Sequence, residues 1–176
     1  MLTHVSGRVL VEGKNGVYPA VPFAKLSAGD LLSLAGDGKV RVVYLDNGRQ
    51  ETWAGACEVE IAGLQGQSPG PEPGVKLLPP IVVQQLAKTP PAGERARNGM
   101  LRVRSVDLED ALTQLDKHYD ELKRGATDED TTPELFLLSG LVELRQFARA
   151  RTLLVKLKDN RAYKQVVAHF TPMVRR

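Results

Sequence analysis

The spacing of apolar residues changes once along this chain of 176 residues, and that change restricts it to two differently built parts. From Val5 to Ile61 apolar and polar residues alternate with the period of two that strands show. From about Val106 onward the apolar residues recur every three or four positions, as on one face of a helix. Between them lies Gly63-Leu-Gln-Gly-Gln-Ser-Pro-Gly-Pro-Glu-Pro-Gly74, too dense in proline and glycine to sustain a ladder or a helix, and it reads as a linker. The expectation is an α+β chain in parts. Residues 1–62 form a small antiparallel β-sandwich or partly open barrel. Residues 63–104 form a Pro/Gly-rich linker with a short helix and a returning strand, and residues 105–176 a helical bundle.

Within the first part, Val5, Val9 and Val11 share one face with Gly7, while Arg8 and Glu12 take the other, as in a single strand. A turn follows at Gly13-Lys14-Asn15-Gly16. Strands are expected at Leu31–Ala35, Lys39–Leu45, Arg49–Trp53 and Ala56–Ile61. Gly36-Asp37-Gly38, with a left-handed residue, and Asp46-Asn47-Gly48 suit hairpin loops between them. Alternation puts Cys57, Val59 and Ile61 in the core and leaves Glu58 and Glu60 as a solvated face.

Pro80 can open a short helix, where its missing N–H costs nothing, and Met100–Arg104 alternates like a strand returning to the sheet. Leu108, Leu112, Leu115, Tyr119 and Leu122 stripe a helix over about 106–124, with Ser105 or Asp107 as cap and Gly125 at its end. Thr132 is the expected N-cap of the next helix, with Pro133 at its first position and Glu134 near the positive end of the dipole. Leu137, Leu138, Leu141 and Leu144 give its buried side. Ala150, Leu153, Leu154 and Leu157 give that of its successor, and a last helix runs over about 161–170.

Charge is distributed unevenly: −1 over residues 1–68, +4 over 69–105, −6 over 106–132 and +6 over 133–176. Neighbouring segments of opposite sign can complement each other within the fold; alternatively, the basic end is a face for an acidic partner. With only 5% aromatic residues the chain has few stacking platforms, so no nucleic-acid partner is expected. The single cysteine, Cys57, permits neither an intrachain disulfide nor a cysteine zinc cluster. His4, His118 and His169 stand far apart without ligand spacing, and no motif for phosphate binding or acid–base chemistry is present. The chain is therefore expected to hold no catalytic residue, no metal and no cofactor. No apolar run reaches the ~20 residues of a membrane span, and the sequence as written opens without a signal peptide.

Four residues stand out for binding. Trp53 alternates with Arg49 and Glu51 on a polar strand face, where it can anchor an interface or cover a seam between sheet and helices. Arg145, Arg149 and Arg151 cluster after the Leu-rich helix, with Lys156, Lys158, Arg161 and Lys164 beyond.

Pro133–Leu157 resembles one tetratricopeptide unit: Leu137 and Leu141 fall on its large first-helix positions, Phe147 near its turn, and Ala150 and Leu154 in its second helix. It departs where Leu138 replaces the small glycine, where Leu157 replaces the later alanine, and in lacking a closing proline. An ordinary helical bundle is the other reading of the same spacing. Gly7-Arg-Val-Leu-Val11, Leu26-Ser-Ala-Gly29-Asp30-Leu31-Leu32 and Val40-Arg-Val-Val-Tyr-Leu-Asp-Asn-Gly48 resemble the FecR-type module of bacterial envelope proteins. That resemblance implies an exported regulatory or scaffolding module without catalysis. The expectation is a non-enzymatic interaction protein of the bacterial envelope, binding a protein with an acidic segment and compatible with a homo-oligomer. Its location is periplasmic if an export signal was trimmed, or else cytoplasmic. The alternative is a small-ligand or glycan-binding β module with Tyr18, Tyr44 and Trp53 as its aromatic platform.

Overall fold

The computed structural model describes residues 1–92, 108–127 and 130–174. It divides into two compact units, Met1–Gly93 and Glu94–Arg176. The first carries β1 (Leu2–Ser6), β2 (Val9–Gly13), β3 (Gly16–Pro19), β4 (Leu31–Leu34), β5 (Lys39–Val43), β6 (Arg49–Ala54), β7 (Cys57–Ile61), β8 (Gly66–Gln67) and β9 (Gly74–Leu77), followed by α1 (Pro80–Ala87). The strands form two antiparallel sheets that do not close on each other, ordered β1-β5-β6-β9 and β3-β2-β4-β7-β8. Leu2, Val5, Val40, Val42 and Trp53 from one sheet share a single core with Val9, Val11, Leu32, Leu34, Val59 and Ile61 from the other. Each such side chain contributes about 1.5–3 kcal/mol by leaving water.

One expected strand is two. Gly7 has φ 66°, and a Cβ there would run into the carbonyl of Asp37, so the chain corners at residue 7. Val5 and Val9 consequently enter the same core from opposite sheets. Gly36-Asp37-Gly38 is likewise no hairpin, because β4 and β5 belong to different sheets, and neither glycine has a positive φ. The hairpin at Asp46–Gly48 does form: Gly48 has φ 72°, and its N–H donates to the Tyr44 carbonyl at 2.9 Å.

The Pro/Gly-rich stretch contains structure. Two residues of it suffice for β8, which pairs with β7, and Gly74 opens β9, which pairs with β6 from Thr52↔Gly74 to Arg49↔Leu77. Two of the four edge strands, β3 and β9, are exposed along their whole length, Leu77 to 71%. Pro19 ends β3, while Pro73 and Pro79 bracket β9. Helix α1 opens on Pro79-Pro80 as expected and buries Val82, Val83 and Leu86, and a Cβ on Gly48 would come within 3.1 Å of Val83 Cγ2.

The second unit comprises α2 (Leu108–Arg124), α3 (Thr132–Glu143), α4 (Phe147–Leu157), a 3-10 turn at Arg161–Tyr163, α5 (Lys164–Phe170) and a closing 3-10 turn at Thr171–Met173. Consecutive helices pack on one another. Every residue of α3 from Thr132 to Leu141 is buried, as befits a helix apolar on most sides. Gly140 lets it approach α2, since a Cβ there would lie 3.2 Å from Leu115 Cγ. The cap of α3 sits one residue earlier than expected, at Thr131, and Asp130 Oδ1 accepts from the Thr132 N–H at 3.0 Å. The strand expected at Met100–Arg104 and the caps at Ser105 or Asp107 lie outside the described residues.

Candidate functional site

Alternation does place Trp53 on one strand face with Arg49 and Glu51, but that face turns inward. Trp53 is only 3% exposed, packed in the core of the first unit. The expectation of an exposed anchor at Trp53 is therefore corrected: the strand face that carries Glu51 and Trp53 is buried despite its polar residues. The reason is Glu51, fully buried beside it. Its carboxylate accepts from Arg49 Nε at 2.5 Å, from the Trp53 indole N–H at 3.1 Å and from the Gly66 N–H at 2.9 Å. A buried carboxylate is tolerable only with such partners. Because Gly66 belongs to the opposite sheet, Glu51 buckles the two sheets together. A Cβ on Gly66 would meet Glu51, Val59 and Trp53 atoms at 2.8–2.9 Å, which is why glycine stands there. Tyr44 is also buried, and burial, then the Glu51 charge, pushes its pKa up. Of the proposed aromatic platform only Tyr18, 37% exposed, is at the surface.

On the outer face of the second sheet, Leu31, Glu58, Glu60, Gln67, Ser68 and Pro69 line a shallow groove of ≈ 380 Å³. Glu58 and Glu60 point to solvent, as alternation requires, while Val59 and Ile61 are buried and Cys57 is partly so.

The three arginines do not form one face. Arg145 occupies the turn between α3 and α4 with φ 57°. Around it the Gln146 N–H donates to the Leu141 carbonyl at 2.7 Å and the Arg145 N–H to Val142 at 3.1 Å, a helix stop in which glycine is the usual residue. Arg149 reaches α2 and pairs with Asp116 at 2.7 and 3.0 Å, so part of the charge asymmetry is resolved inside the unit. Arg151 donates to the Val174 carbonyl at 2.9 Å, holding the C-terminal turn.

At the start of α3, Glu134 is almost wholly buried and meets Lys123 Nζ at 2.6 Å and the Tyr119 hydroxyl at 3.4 Å. Tyr163 completes this corner electrostatically: burial, then the Glu134 charge, pushes its pKa up to about 12. Tyr119 is shifted upward for the same reasons, and Lys123 upward through its bond to Glu134. This carboxylate, ammonium and phenol cluster joins α2, α3 and the Arg161–Tyr163 turn. In the sequence Glu134 is marked only by its place near the helix dipole, because its partners stand 11 and 15 residues before it.

What α4 presents outward is a different set. Ala150 and Leu154 are buried, with Leu153 and Leu157 partly so, leaving Ala148, Thr152 and Val155 exposed along the opposite side at i, i+4 and i+7. Val155 is 61% exposed. The Thr152 hydroxyl donates back to the Ala148 carbonyl at 3.1 Å, satisfying its polar group within the helix. Helical geometry sets Arg149 and Lys156 along one flank of this stripe and Arg151 and Lys158 along the other.

Among the described residues there is no cluster of three or more His, Cys, Asp or Glu able to hold a metal, and no helix long and apolar enough to cross a membrane. Compared with known proteins, the chain matches no family model, no curated protein and no solved structure.

Proposed function

We propose that this is a non-enzymatic interaction protein, a scaffold or regulator of the bacterial envelope, in which the β unit is a FecR-like module and the tetratricopeptide-like helical unit holds another protein. The observation that carries the reading is the contrast between α3, buried along its length, and α4, which exposes a basic outer face. A solvated helix held against a buried one is a rigid platform, and its charge favours an acidic partner. The residues that gave the β unit its ligand-binding alternative count against it, since Tyr44 and Trp53 are core residues.

Amine-reactive cross-linking of the full chain in a bacterial envelope fraction tests the proposal. A discrete adduct with one other protein is expected, with adduct lysines in the helical unit. Recovery of the uncoupled chain alone, or adducts confined to residues 1–93, would remove the reading.

A further inference from the structure

We infer that the outer stripe of α4, Ala148-Thr152-Val155, is the seat of an acidic amphipathic helix contributed by the partner protein. The inference rests on the interaction reading above and names the surface and its occupant. Three features support it. The stripe is smooth: a methyl, a Thr whose hydroxyl is already bonded to Ala148, and an isopropyl group repeat at the spacing of one helix face. Small residues on one helix let another approach closely along the crossing.

Cations border the stripe on both sides. Arg149 and Arg151 are held in place by Asp116 and the Val174 carbonyl, whereas Lys156 and Lys158 make no ion pair with any described residue. Asp116 is already engaged by Arg149, and Asp159 follows Lys158 directly in sequence. A partner carrying apolar residues at i, i+4 and i+7 with Glu or Asp flanking them complements both the apolar line and its charged borders. A polyanion without the apolar spine would leave Val155 uncovered, and a neutral helix would leave the lysines unpaired.

The probe is a fluorescein-labelled synthetic peptide of about 16 residues, long enough to be helical when docked. It is built of Leu and Ala at i, i+4 and i+7 with Glu around them. A scrambled peptide of the same composition and vesicles of anionic phospholipid serve as comparisons. Binding to the full chain is followed by anisotropy. Val155→Asp, and separately Lys156→Glu with Lys158→Glu, should each weaken the ordered peptide about tenfold or more, while circular dichroism of both variants stays that of the parent. The scrambled peptide should bind more weakly than the ordered one.

If the ordered peptide binds but ignores Val155→Asp, the stripe is not the seat, while the interaction reading survives on another surface. If the parent protein binds neither peptide, the acidic-helix occupant is overturned, and the envelope cross-linking result stands separately for the function. Binding of the vesicles with the same loss in the variants assigns the stripe to a membrane surface and overturns the inference.

Discussion

Replacing Glu51 by alanine should unfasten the β unit, and the structure says by how much. The carboxylate accepts three hydrogen bonds, from Arg49, Trp53 and the Gly66 backbone. Arg49 is partly exposed, so after substitution it recovers water and contributes little to the loss. The indole N–H and the Gly66 N–H sit inside, where each donor left without a partner costs about 1–3 kcal/mol. With the void left by the shortened side chain, the total is about 3–5 kcal/mol. Glu51→Gln can keep the one oxygen, Oε2, that accepts from both buried donors, together with the volume, and should lose well under half as much. Trp53 is the chain's single tryptophan and is itself a partner of Glu51, so its emission reports this unit alone. Followed by that emission, urea unfolding of the full chain at a slope of ~2 kcal/mol per molar should show the midpoint fall by about 2 M for the alanine variant. A fall below about 0.5 M, or equal losses for alanine and glutamine, would refute the idea that Glu51 is held as an acceptor for buried donors.

Arg145→Gly should stabilise the helical unit by about 0.5–1 kcal/mol, because the left-handed backbone there is strained for arginine and free for glycine, less the added freedom of the unfolded chain; thermal unfolding by circular dichroism checks it. Lys123→Met should destabilise the same unit by about 2–4 kcal/mol in denaturant titrations, leaving Glu134 as a buried carboxylate without its cation. Alkaline conditions act on the same corner. Tyr163 folds with its pKa raised from 10.0 to about 12, and Tyr119 and Lys123 are raised too, so the folded unit holds protons that the unfolded chain gives up. That stability is complete below pH 10 and should drain away as pH climbs through 12; Tyr163→Phe should blunt the loss in a helicity titration.

How much of this was legible in advance depends on whether a signal is local. Alternation at Cys57–Ile61 and the three-and-four spacing on α4 are properties of neighbours, and both reappear in the fold, whereas on α2 only Leu115 of the expected stripe is buried and Leu108 is exposed. Sheet membership is not local: nothing in the run from Val5 to Val11 distinguishes one strand from two, and only the clash of a side chain at Gly7 with distant Asp37 does so. Gly66 reads as linker for the same reason, since what requires glycine there is the side chains of Glu51, Val59 and Trp53. Trp53 and Glu51 misled through their polarity. A carboxylate can face inward when it meets enough donors, and two of its three, Arg49 and Trp53, were already in the pattern. Left-handed Phe23 and Arg145 gave no warning, because neither is a residue that favours that conformation. Of the candidate arginines, the sequence could show their nearness but not that Arg149 and Arg151 turn towards different partners.

The prolines beside β3 and β9 bear on how this molecule behaves in a crowd. Ala20 donates its N–H to Val9, so by alternation Pro19 turns its ring to the free side of β3, where an incoming chain would look for a donor. Pro73 and Pro79 limit β9 to four residues. Fibril growth proceeds by adding one chain's backbone to another's rim, and these two of the four rims are kept short or stripped of an amide. At these two rims the backbone offers a neighbour little to extend.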